Sequence, residues 1–136
     1  MADIKALLVD DEESFRNTLC KRLGRRGMTV EQAGSGEEAL NMLASFQPDV
    51  ILLDVKMPGM DGLTALHKIK EVSPLIEVVM LTGHASMEIA IRGMELGAFD
   101  YLMKPVEFEE LLYKLEDAYK RKKYHEDRIA ARASGS

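Results

Sequence analysis

The chain has a single cysteine, three scattered histidines, few aromatic residues and no long apolar run, and each shortage removes a class of protein. Cys20 cannot close an internal disulfide, and the histidines have no metal-finger spacing, so a reducing, intracellular setting is expected. From Met1 to Glu13 acids arrive within three residues, which leaves no signal-peptide core, and no stretch approaches the roughly 18 apolar residues of a membrane span. The expected location is the cytoplasm. The formal charge of -5 disfavours a general nucleic-acid partner, and the basic run Lys120 to Lys123 reads as a solvated helical face. What remains is a 136-residue chain, 46% hydrophobic, able to bury one core without staples.

Five apolar runs of strand length recur at Ile4 to Val9, Met28 to Ala33, Asp49 to Asp54, Ile76 to Thr82 and Ala98 to Met103. The first, third and fourth are nearly continuous Val, Ile and Leu, as in strands covered on both faces. Between and after them lie residues at helical spacing: Phe15, Leu19 and Leu23; Ala39, Leu40 and Leu43; Leu63, Leu66 and Ile69; Ile89, Ala90, Gly93 and Met94; Phe108, Leu111, Leu112 and Leu115. Ser35 with Glu38 forms a capping box, Ser86 can cap the fourth helix and Gly97 can stop it. The alternation predicts an α/β fold, a (βα)5 doubly wound five-stranded parallel sheet with right-handed crossovers. After Tyr119 the apolar stripe of the last helix fails, because Lys122 and Glu126 take the next inward positions. Residues 1–119 are therefore read as one domain and 120–136 as a charged helical extension or linker.

In an open α/β sheet, ligands bind beyond the carboxyl ends of the strands. Those ends carry Asp10 and Asp11 after the first strand, Asp54 at the third, Thr82 at the fourth and Lys104 just past the fifth. Three crowded carboxylates need a cation at neutral pH, and oxygen ligands without His or Cys select a hard ion, with Mg2+ the expected one. A metal with Lys104 nearby would neutralise a transferring phosphoryl group, the Thr82 hydroxyl would donate to it, and an Asp carboxylate can accept it covalently. Asp54, which leads into the Pro-Gly-rich segment KMPGMDG, is the expected acceptor.

The segments LLVDDEE, DVILLDVKMPGMDG, VVMLTGHAS and GAFDYLMKP resemble the four signature segments of response-regulator receiver domains, relatives of the chemotaxis response regulator, over Ile4 to Tyr119. The resemblance implies the flavodoxin-like strand order 2-1-3-4-5. It also implies that Asp10, Asp11, Asp54 and the backbone carbonyl of Lys56 bind Mg2+, and that Asp54 takes phosphate from a sensor histidine kinase or a small acyl phosphate. Thr82 and Lys104 would then contact the phosphoryl oxygens, Tyr101 would report the state of the site by its rotamer, and Pro105 would follow a cis peptide bond. Lys56 and His84 occupy variable positions associated with the lifetime of the phosphorylated state. The responding face would be the fourth helix, fifth strand and fifth helix, roughly Ser86 to Tyr119, serving for homodimerisation or effector contact. Thr82-Gly83-His84-Ala85-Ser86 with GAFDYLMKP most resembles receivers of transcriptional activators of the sigma-54 type. With neither an ATPase phosphate loop nor a DNA-reading helix pair in the chain, a stand-alone or excised receiver is expected, with its effector unspecified.

Two other readings compete. Gly34-Ser35-Gly36-Glu37-Glu38-Ala39 fits a dinucleotide-binding pattern, with Asp54 following at about the usual 20 residues. Glu37 and Glu38 would, however, stand where a pyrophosphate docks. A phosphatase of the haloacid dehalogenase class would place its nucleophile in D-x-D after the first strand, where this chain has Asp10-Asp11-Glu12.

Overall fold

The computed structural model describes residues 3–56, 61–83 and 87–135. Most of the Pro-Gly-rich loop after Asp54, the candidate tuning residue His84 and the candidate cap Ser86 lie outside the described residues.

Strands and helices alternate as β1 (Lys5–Val9), α1 (Glu13–Arg25), β2 (Thr29–Ala33), α2 (Gly36–Phe46), β3 (Val50–Asp54), α3 (Gly62–Val72), β4 (Glu77–Thr82), α4 (Met87–Glu95), β5 (Asp100–Met103) and α5 (Phe108–Gly135). All strand pairs are parallel, and the order is β2-β1-β3-β4-β5. β3 and β4 are buried at every position, which explains their unbroken apolar sequence, whereas β2, at an edge, alternates exposed and covered residues.

Strand periodicity divides the core in two. Ala6, Leu8, Val50, Leu52, Val79 and Leu81 meet Leu19 and Leu23 of α1 and Leu111 and Leu115 of α5 on one face. Leu7, Val9, Ile51, Leu53, Val78 and Met80 meet Ala39 and Leu43 of α2 and Ala65, Leu66 and Ile69 of α3 on the other. Each wholly buried leucine contributes about 1.5–3 kcal/mol relative to exposure. Local signals terminate the helices. Gly97, at φ 105°, turns the chain after α4 while its N–H donates to the Met94 carbonyl. Gly62 opens α3 directly against the backbone of Val55, where any Cβ would collide with that strand end.

α5 crosses Tyr119 without a break as a helical extension, and its inward stripe continues as ion pairs where the apolar residues stop. Lys122 Nζ lies 3.0 Å from Asp49 Oδ1, just before β3, and 2.8 Å from Glu126. Arg121 reaches the buried Glu77 that starts β4, at 3.5 Å, and its guanidinium lies over Phe99. Charge at these positions does not end the packing, because Asp49 and Glu77 stand at the amino ends of the central strands β3 and β4 to receive Lys122 and Arg121. From Asp127 onward the helix is exposed. Among the described residues no helix is long and apolar enough to cross a membrane.

Candidate functional site

The parallel sheet brings the strand ends expected from sequence to one rim. Asp10 follows β1, its N–H donating to the Ala33 carbonyl at 3.1 Å, so the residue is held in line with β2 and is 1% exposed. Its Oδ1 accepts from the Glu12 N–H at 2.9 Å, an Asx turn that starts the path into α1. Asp54 ends β3, 5% exposed, and its Oδ1 accepts from the Lys56 N–H at 2.9 Å. Asp11 is exposed, yet one carboxylate oxygen from each of Asp10, Asp11 and Asp54 falls within 4.8 Å of the others.

Lys104 completes the group. Its N–H donates to the Thr82 carbonyl at 2.8 Å, tying the segment after β5 to the end of β4, and the Lys104–Pro105 peptide is cis. The ammonium stands 3.0 Å from Asp10 Oδ2 and 3.6 Å from Asp54 Oδ2. It is also 3.4 Å from Glu12 Oε1 and 4.8 Å from the centre of the Phe15 ring.

The electrostatics follow from that crowding. Burial raises the Asp54 carboxyl above its ordinary range; the Lys56 N–H opposes this, Asp10 adds repulsion, Lys104 offsets part of it and Asp11 raises it again. Burial alone would lower Lys104, but the hydrogen bond to Asp10, the charges of Asp54 and Asp10 and the hydrogen bond to Glu12 outweigh it and raise the ammonium. A site that holds its protons in this way has excess negative charge, and its oxygen-only donors suit a hard divalent cation.

Not every expected residue meets the carboxylates. The Thr82 hydroxyl, at the end of β4, donates to the Leu102 carbonyl at 3.4 Å. Tyr101 lies on β5, half-buried, beside Met87, Ala90, Ile91 and Met94 of α4. Three residues near the rim escaped the sequence reading. Arg16 donates to the Asp10 carbonyl at 2.6 Å and to Gln32 Oε1 at 3.1 Å, bracing the ends of β1 and β2. Glu12 and Phe15 cradle Lys104, and their spacing, one helical turn apart at the start of α1, was the signal available for them. The dinucleotide-like segment is a cap: the Glu38 N–H donates to Ser35 Oγ at 3.1 Å, and the Glu38 carboxylate takes the Gly34 N–H at 2.7 Å. The glycine-rich turn is thus closed by its own acid.

Fold and rim together define a doubly wound α/β domain with an acidic, lysine-capped cluster at the carboxyl ends of its strands. A family model for the response regulator receiver domain matches residues 6–116, and the chain belongs to that family. It is 41% identical over 111 residues to the DNA-binding transcriptional regulator NtrC of Escherichia coli (strain K12), covering 82% of this chain and 24% of that protein. It is 38% identical over 127 residues to the response regulator MprA of Mycobacterium ulcerans (strain Agy99), covering 93% and 55%. Among solved structures, NtrX from Brucella abortus in complex with ADP superposes with a TM-score of 0.89 at 29% identity, covering 94% of this chain and 30% of that one. A response regulator receiver domain protein from Clostridium thermocellum superposes with a TM-score of 0.85 at 36% identity, covering 89% and 98%. The chain thus spans about a quarter of the NtrC relative and about half of the MprA relative.

Proposed function

We propose that Asp54 is the phosphate acceptor of this receiver and that its phosphorylation by a sensor histidine kinase is the input of a cytoplasmic two-component pathway. The observation that carries this reading is the meeting of Asp10, Asp11, Asp54 and Lys104 at one rim. Asp10, Asp11, Asp54 and the Lys56 carbonyl would hold Mg2+, which supplies charge neutralisation to the phosphoryl oxygens. One Asp54 carboxylate oxygen forms the new O–P bond as the N–P bond to the kinase imidazole breaks. Fixing Asp54 at the end of a fully buried strand presents that oxygen without reorganisation. The aspartyl phosphate carries about -1.5 to -2 in charge where the carboxylate carried -1, and Lys104 pairs with it while Thr82 exchanges the Leu102 carbonyl for a phosphoryl oxygen. The chain catalyses its own phosphorylation and dephosphorylation, with no separate substrate.

The response spreads to α4, β5 and α5. Met87, Ile91, Met94 and Met103 are large and exposed on α4 and β5, which supports this face as the surface for homodimerisation or effector contact. The projecting end of α5 would lead to an effector, for which the sigma-54 activator type is our reading. The test is Mg2+-dependent labelling by acetyl phosphate, read by intact mass. Wild type gains one phosphoryl group and Asp54→Ala gains none; equal labelling of both would remove the acceptor assignment.

A further inference from the structure

Glu12 is the N-cap residue of α1, yet its side chain makes no capping hydrogen bond. Acids with side chains short enough to reach the helix N–H groups are the favoured caps, and glutamate is not among them. The Glu12 carboxylate turns instead to Lys104, 3.4 Å away, while Phe15 stands 4.8 Å from the same ammonium. Asp10, Glu12 and Asp54 thus surround an ammonium with three protons to donate.

These partners differ in what phosphorylation asks of them. Under the phosphoacceptor reading, on which this inference rests, Asp10 and Asp54 serve a divalent cation and the phosphoryl group. Glu12, 64% exposed at its side chain, has no such competing duty, so the cation does not draw it away from Lys104 before the phosphoryl group arrives. We infer that Glu12 is a positioning residue that restrains Lys104 in the unphosphorylated arrangement, so that the phosphoryl group must win the ammonium from it. Phe15 keeps the lysine stem at the rim while that exchange occurs, because a cation–aromatic contact is indifferent to which carboxylate the ammonium faces. Glu12 thereby sets how readily the domain enters and retains its phosphorylated form, through Lys104 and without touching phosphate.

The test compares Glu12→Gln with Glu13→Gln. Glu13 is an exposed acid in the first turn of the same helix, so its substitution removes the same charge nearby. Calorimetric titration with beryllofluoride at saturating Mg2+ should show about 2- to 5-fold tighter binding for Glu12→Gln, the range of a partly exposed ion pair, and near wild-type binding for Glu13→Gln. In metal-free protein the Lys104 15Nζ resonance should move in Glu12→Gln and stay in Glu13→Gln. An unchanged affinity in Glu12→Gln, or an equal gain in both variants, would overturn the inference alone. No beryllofluoride binding by wild type would overturn the phosphoacceptor reading and the inference with it.

Discussion

Replacing Lys122 by methionine tests whether the last helix is bolted to the sheet. The Lys122 side chain is 12% exposed and bridges Asp49 and Glu126, and Asp49 Oδ2 also accepts the Lys5 N–H at 2.9 Å. Methionine keeps most of the stem's packing and removes the cation, leaving the partly buried Asp49, just before β3, with one partner fewer. An exposed pair is worth about 0.2–1 kcal/mol, whereas breaking a buried pair costs about 3–5 kcal/mol. This pair lies between, so Lys122→Met should cost about 2 kcal/mol. For a chain of this size that lowers Tm by about 7 °C. Burial pulls Lys122 down, but its hydrogen bonds to Glu126 and Asp49 win and raise it above the ordinary lysine value of 10.5. Stabilisation from a raised lysine is complete below that value and fades as pH climbs through the folded one. The cost should therefore be constant from about pH 6 to 10 and shrink above. Urea and thermal unfolding followed by circular dichroism would measure it, with an Asp49→Asn double-mutant cycle to isolate the pair. A Tm loss under about 2 °C, or a coupling near zero, would refute the reasoning.

Asp54→Asn should stabilise the metal-free fold at pH 7. The raised Asp54 carboxyl contributes its stability below the ordinary value of 3.8 and loses it as pH rises through the folded value, so the ionised side chain is a cost at neutrality. Calorimetric scans should show the gain narrowing toward pH 4, and an Asn variant that melts below wild type at pH 7 would contradict it. Mg2+ at about 100 times its Kd should add about 2.7 kcal/mol to wild type and less to Asp54→Asn, read by the same scans. Lys56→Ala should shorten the half-life of the aspartyl phosphate by uncovering it to water; a half-life equal to wild type would remove Lys56 as a tuning residue.

The strands and the site acids were legible because their signals are local. Continuous Val, Ile and Leu mark strands covered on both faces, and parallel strands necessarily carry Asp10, Asp54, Thr82 and Lys104 to one edge. The capping box at Ser35 and the stop at Gly97 needed only a few neighbouring residues. The partners of charged side chains were not legible. Lys122 and Arg121 read as a solvated face, since their carboxylates, Asp49 and Glu77, lie 73 and 44 positions earlier in the chain. Glu12 and Lys104 are separated by 92 positions, and the sequence offered only an acid in a helical first turn.

By itself the sequence determined which segments become strands, which faces of the helices are apolar and which strand ends carry acids, because each depends on residues within a turn or two of one another. Only the tertiary structure decided which cation faces which carboxylate, whether α5 stops or continues against the sheet, and that the cap of α1 turns to Lys104 rather than to its own helix. Those choices depend on distances between segments remote in sequence, which packing of the sheet and helices sets and no local pattern encodes.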